Sequence, residues 1–156
     1  MPVSTVLLIA AAGANGLLAG ASLDQSIKQL PARHRIGAVA FSRYSRAADL
    51  ANGVAWYATL GIGTALLTIV AAIAGLVGRP TIPAAVCLSV ALAATVAHSA
   101  ATGRAAPTNF GQRALGDDDR ALADLFDRFE RWQTIRVAFQ VLALAAVLAG
   151  LALVHS

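Results

Sequence analysis

The stretch that decides the fold is LANGVAWYATLGIGTALLTIVAAIAGLVG, from Leu50 to Gly78. It runs for 29 residues without a charged side chain. A helix rises about 1.5 Å per residue, and about 20 apolar residues cross the ~30 Å hydrocarbon core of a bilayer. The stretch therefore reads as a membrane span with length to spare, either tilted or starting in the headgroup layer.

Similar runs lie on both sides of it. Val3 to Leu23 is uncharged, Val137 to Val154 is uncharged, and the run from Pro80 to Gly103 carries no charge when His98 is neutral. Four spans are expected, at residues 3–23, 50–78, 81–103 and 137–154. Composition agrees. The chain is 58% apolar and 13% charged, with a mean hydropathy of +0.68, whereas a soluble domain is about 45–50% apolar and about 25% charged. Residues 1–156 read as a single membrane domain. The expected fold class is all-α: an integral membrane four-helix bundle with amphipathic cytoplasmic helical extensions.

The first span resembles a signal peptide in one respect, the small residues Ala19-Gly20-Ala21. A signal peptide also needs a positive start, and Met1 to Thr5 holds no Lys or Arg, so the helix is expected to be retained. Of the twelve Lys and Arg residues, all but Arg79 fall in loops 24–49 and 104–136. Basic loops stay inside. Both loops are therefore expected in the cytoplasm and both termini outside, in an inner or plasma membrane. His155 would lie on the outer face. The connection from Gly78 to Pro83 is short, which makes the second and third spans antiparallel neighbours.

The loops carry helical patterns of their own. Asp117, Asp118 and Asp119 form a strong helix start. Leu122, Leu125, Phe126, Phe129, Trp132 and Ile135 follow at helical spacing. One helix is expected from about Asp118 into the fourth span, with Asp124–Arg128 and Asp127–Arg131 as surface pairs. The first helix is expected to run past Asp24, pair Asp24 with Lys28, and stop at Pro31. Ile36 to Leu50 is amphipathic. Gly13, Gly16 and Gly20 offer a small-residue face for close helix approach.

Each polar residue in a span calls for an explanation. Asn52, Trp56, Tyr57, Gln140, His98 and Asn15 all lie within about 12 Å of the expected cytoplasmic boundary at ~1.5 Å per residue. The outer half holds only weakly polar groups such as Thr64, Thr68 and Ser89. If the polar residues face inward, they line one pocket. Simpler roles stand beside this. Trp56 and Tyr57 suit an interfacial aromatic belt, Asn15 suits helix glue, and Asn52 and Gln140 can reach the interface. Arg104 suits a helix C-terminus, Arg136 can snorkel, and Pro107 and Asn109 suit a turn.

Several chemistries lack their residues. No H-x-x-x-H, C-x-x-C, phosphate loop or dinucleotide fingerprint is present, so no metal and no cofactor is expected. The single cysteine, Cys87, has no partner for an internal disulfide. The pI near 10.2 lacks the aromatic-studded basic patch of a nucleic-acid binder. What remains is acid–base chemistry on an apolar substrate, with His98 as the base and Arg136, Arg104, Asn109 or Asn52 as stabilisers of an oxyanion.

The order of these pieces resembles a known group. A glycine-rich first span with Gly16 and Gly20 is followed by a long second span and a third ending in His98. Then come Pro107-Thr108-Asn109 and a charged amphipathic stretch with Trp132 and Arg136 at the head of the last span. This resembles the anthrone oxygenase-like family of small four-helix membrane proteins, most of whose bacterial members have no known function. The resemblance implies cofactor-free oxygenation of a polycyclic phenol. Its implied roles are His98 as base, Arg136 and Asn109 holding the phenolate, and Trp132 stacking on the rings. Asn52, Trp56, Tyr57, Asn15 and Gln140 would complete the substrate pocket. The expected partners are the lipid bilayer, a small apolar aromatic substrate, O₂ and a homo-oligomer, with no nucleic acid. The alternative is a non-catalytic membrane protein, either a small-ligand binder or an accessory subunit.

Overall fold

The computed structural model describes residues 2–154; His155 lies outside them. Every element among the described residues is helical. Four helices are long and apolar enough to cross a membrane: α1 (Val3–Ile36), α2 (Ala38–Val77), α3 (Ile82–Ala114) and α4 (Asp119–Leu153). All four are longer than the uncharged runs inside them. The excess is gathered at the Arg-rich end.

Three breaks separate the helices. Gly37 at φ +86° parts α1 from α2, a backbone conformation that favours glycine. The short segment around Arg79 parts α2 from α3. Asp118 starts α4, and its side chain accepts from the Ala121 N–H at 3.0 Å. The expected single helix from Asp118 into the last span is present.

Neither proline ends a helix where the sequence suggested. Pro31 was expected to interrupt α1, but the helix continues through it to Ile36. A widened turn at Gln25–Gln29 immediately precedes it, and loosening the ladder there relieves the crowding that a proline ring creates. Pro107 was expected to start a turn, but α3 runs through it to Phe110. Proline removes one backbone hydrogen bond at a cost of about 3 kcal/mol. Burial of the neighbouring Ala105 and Asn109 offsets that loss.

The bundle has two apolar cores. At the Arg79 end, Leu8, Ala11, Ala71, Ala72, Leu88, Ala91, Ala146 and Val147 form a seam shared by all four helices. Leu88 sits between two glycines. A Cβ on Gly75 would lie 2.7 Å from Leu88 Cδ1, and one on Gly150 would lie 2.9 Å from Leu88 Cδ2. These glycines allow the close approach, not the ones expected. A Cβ added to Gly13, Gly16 or Gly20 would meet nothing within 4 Å.

At the Arg-rich end, Leu30, Ala38, Phe41, Ala105, Leu122, Leu125, Phe126 and Phe129 form a cap. Phe41 and Phe126 meet edge to face with centroids 4.9 Å apart. Ion pairs surround the cap. Arg33, only 5% exposed, reaches Asp127 at 2.5 Å and Glu130 at 2.7 Å. Asp127 is thus tied to α1 instead of to Arg131 on its own helix. Asp24 and Lys28 do pair, at 2.5 Å. Asp117 takes Arg43 and Arg46, which fastens the turn before α4 to the start of α2.

Candidate functional site

The second helix bends between cap and seam. A widened turn at Ala48–Asn52 contains Ala51 at φ −103°, ψ −109°, outside helical geometry. The bend frees the Leu50 carbonyl, and Arg113 Nη2 donates to it at 2.6 Å. Gly53 is needed there, because a Cβ would lie 2.8 Å from the Ala48 carbonyl oxygen. The bend swings α2 away from α3, whereas α3 and α4 stay in contact along most of their length. The gap is a cavity of about 610 Å³ touched by all four helices. That volume lies within the range of small-molecule sites, about 300–1,000 Å³.

Of the residues singled out from sequence, His98, Arg136, Asn109 and Tyr57 line this cavity. His98 is buried, and its Nδ1 lies 3.0 Å from the backbone oxygen of Arg136. A carbonyl oxygen only accepts. Nδ1 therefore carries the hydrogen, and in the neutral ring Nε2 keeps its lone pair. The Thr102 hydroxyl lies 3.5 Å from Nε2, but it donates to the His98 carbonyl at 2.9 Å. The lone pair of Nε2 is left open in the cavity wall.

Arg136 stands beside it. Its Nη2 donates to Gln25 Oε1 at 3.1 Å, and its Nε is buried without a hydrogen-bond partner. Among the described residues no carboxylate forms an ion pair with it; the carboxylates that pair take Lys28, Arg33, Arg43 and Arg46. A half-buried cation balanced only by a neutral amide favours an anion in the adjoining space.

Asn109 lies eleven residues beyond His98 on α3, about 16 Å along the helix at ~1.5 Å per residue. It does not fold back over His98, because no turn forms at Pro107. Its Oδ1 accepts from Gln112 Nε2 at 2.8 Å. Gln112 also joins Ser42 and Ser45, and Ser45 donates to Asp49 at 2.9 Å. This buried polar chain fixes the end of the cavity nearest the cap.

The other residues lie elsewhere. Asn15 donates to Thr68 Oγ1 at 2.7 Å, and Gln140 donates to Asn15 Oδ1 at 2.9 Å. Both are buried, which ties α1, α2 and α4 together through their amides. This is the helix-glue role. Asn52 and Trp56 face outward, Trp56 at 57% exposure, as an interfacial aromatic does. Trp132 packs on the cap and does not line the cavity, so it has no ring in the cavity to stack on. Arg104 is exposed.

Sequence reasoning passed over Gln25, Asp49, Thr102 and Phe110, which also line the cavity. Gln25 and Asp49 fall just outside the uncharged runs and so counted as loop. Their signal was position: each lies within two residues of a span end. Among the described residues no three His, Cys, Asp or Glu side chains come close enough to hold a metal ion. No protein-family model, curated protein or solved structure matches the chain.

Proposed function

We propose that this is an integral membrane enzyme that deprotonates an apolar polycyclic phenol and lets the resulting carbanion react with O₂. The observation that carries this reading is the open Nε2 of His98 in one cavity wall with the carboxylate-free guanidinium of Arg136. A base that takes a proton and a cation that receives the resulting charge are the two groups such a reaction asks of a protein.

The steps balance for an anthrone. His98 Nε2 removes a proton from the ring methylene, and the negative charge spreads onto the carbonyl oxygen beside Arg136. The carbanion bonds to O₂, and the imidazolium returns its proton to the peroxide. Loss of the second methylene proton breaks the O–O bond, expels water and leaves a quinone carbonyl. Anthrone and O₂ give anthraquinone and water. The electrons for O₂ come from the substrate, so the reading asks for no redox cofactor. Asn109 sits toward the cap and would bind a remote substituent, not the reacting oxygen.

In this reading the cap and the basic loops face the cytoplasm, because eleven of the twelve Lys and Arg residues lie in those loops and basic loops stay inside. The test is oxygen uptake by purified protein with anthrone, measured above the spontaneous rate. His98→Ala should lower kcat by about 10²–10⁴-fold with an unchanged far-ultraviolet circular dichroism spectrum. Full activity in both His98→Ala and Arg136→Ala would remove the assignment.

A second reading is an accessory subunit, and the open space beside Gly13, Gly16 and Gly20 supports it. Loss of a co-purifying protein on Gly16→Leu, with no oxygen uptake by the parent, would favour that reading.

A further inference from the structure

Seven buried side-chain polar atoms find no hydrogen-bond partner among the described residues. Six of them lie on two helices that pack together. Ser22 Oγ, Ser26 Oγ, Gln29 Oε1 and Arg33 Nη1 belong to α1, and Gln133 Oε1 and Arg136 Nε belong to α4. The seventh, Thr95 Oγ1, stands on α3. A buried polar group without a partner is costly, and a folded chain carries few of them. Six on one interface point to something held between the helices.

The contacts between α1 and α4 set the order of these atoms. Gln133 donates to the Ser22 carbonyl at 3.2 Å, and Arg136 donates to Gln25 Oε1 at 3.1 Å. The widened turn Gln25–Gln29, which holds Ser26 and Gln29, packs against α4. At the far end Arg33 reaches Asp127 and Glu130. The row therefore starts at Arg136 in the cavity wall, passes Ser22 and Gln133, then Ser26 and Gln29, and ends at Arg33. Ser22 and Arg33 are about 16 Å apart along α1 at ~1.5 Å per residue. The middle is sealed, with Ser22 1% exposed and Gln133 0% exposed. Both ends are open. Arg136 borders the cavity, and the carboxylates on Arg33 are exposed at the rim of the cap.

The sorting of donors and acceptors identifies the occupant. Arg136 Nε and Arg33 Nη1 only donate, Gln133 Oε1 and Gln29 Oε1 only accept, and the two serine hydroxyls do both. An anion serves the guanidinium nitrogens and is repelled by the amide oxygens. A metal cation does the reverse. Water serves both kinds, and a buried water makes about three such bonds. We propose that α1 and α4 enclose a file of bound water that joins the cavity at Arg136 to the rim of the cap at Arg33, Asp127 and Glu130, and that the cavity exchanges water along it. The file stands on the packing of α1 against α4. Under the oxygenation reading it also carries off the water formed in each turnover; only that use rests on the reading.

The test is exchange of the Gln133 side-chain amide with solvent. It is read by nuclear magnetic resonance of the full chain, labelled at glutamine nitrogen, in phosphatidylcholine nanodiscs transferred to heavy water. Gln133→Met identifies its signal. Gln140 is the internal reference, because it is also buried and its amide is taken by Asn15. The Gln133 amide should exchange about tenfold or more faster than that of Gln140. Ser26→Leu and Gln29→Leu each put a hydrocarbon side chain across the file between Gln133 and the rim. Each should slow Gln133 by about tenfold while Gln140 keeps its rate, and slowing in either variant supports the file. A Gln133 amide as slow as that of Gln140 in the parent chain overturns it, because no water then reaches the row. An unchanged fast rate in the folded variants overturns it too, because water then arrives from the cavity alone. No substrate enters the measurement, so its failure and the failure of oxygen uptake with anthrone are separate results.

Discussion

The seam and the cap hold the same four helices together by opposite means. The seam is built from alanines, two glycines and a leucine gripped between them. The cap is built from phenylalanines and leucines ringed by ion pairs. The difference follows from the solvent each region meets. In hydrocarbon, burying a leucine gains little because lipid chains are as apolar as leucine, so helices are held by close contact. Beyond the spans, burying a phenylalanine removes it from water, and the hydrophobic effect applies in full. Small residues suit the first setting and large ones the second.

That contrast can be broken by substitution. Phe126→Ala should have the largest effect, destabilising the protein by about 3–5 kcal/mol in denaturant unfolding of the micelle-bound protein. A loss below about 1 kcal/mol would mean the cap is not a water-driven core. Gly150→Leu comes next. It drives a side chain into Leu88, which Gly75 hems in from the other side, and overpacking of this kind costs about 1–3 kcal/mol. Gly16→Leu should change the free energy of unfolding much less, within about 0.5 kcal/mol in the same denaturant measurement. Equal losses in the two glycine variants would dissolve the account of the seam.

The smallest expected effect is electrostatic. The hydrogen bond from Arg43, helped by the charge of Arg46, holds the Asp117 carboxyl below its ordinary value of 3.8. A carboxyl lowered on folding binds its proton less readily in the folded chain than in the unfolded one. The tie is therefore complete above 3.8 and fades as the pH falls through the lowered value. Amide exchange in the turn from Leu115 to Asp118 should quicken in that range, after correction for the intrinsic rate, and Asp117→Asn should show the quickened exchange already at neutral pH. An unchanged rate in the variant would show that packing alone holds the turn.

Sequence revealed position along the bundle better than direction around a helix. The four apolar runs set the helices, and Asp118 marked the start of α4 because capping is local chemistry. His98 and Tyr57 lie in the stretch between seam and cap, and Asn15 and Gln140 meet at one level of the bundle. Which way each pointed was not legible, because helices that are apolar all round carry little amphipathic signal. Asn15 and Gln140 turned to each other, while Trp56 turned outward. Pro31 and Pro107 misled because local propensity yields to the packing of Leu30 and Ala105 in the cap. The bend at Ala51, which opens the cavity, left only Gly53 as its trace in the sequence.

The pairing of Arg136 with Gln25 has a consequence for biogenesis. The two residues stand 111 positions apart, and the tie of Arg33 to Asp127 spans 94. A ribosome releases α1 first and α4 last. Until α4 leaves the exit tunnel, Gln25 has no guanidinium to orient, Arg33 has no carboxylate, and His98 has no carbonyl to fix its ring. The candidate site thus forms only once α4 has emerged as far as Arg136, and a nascent chain stopped before that residue can build the cap but lacks the guanidinium and the carbonyl of the site.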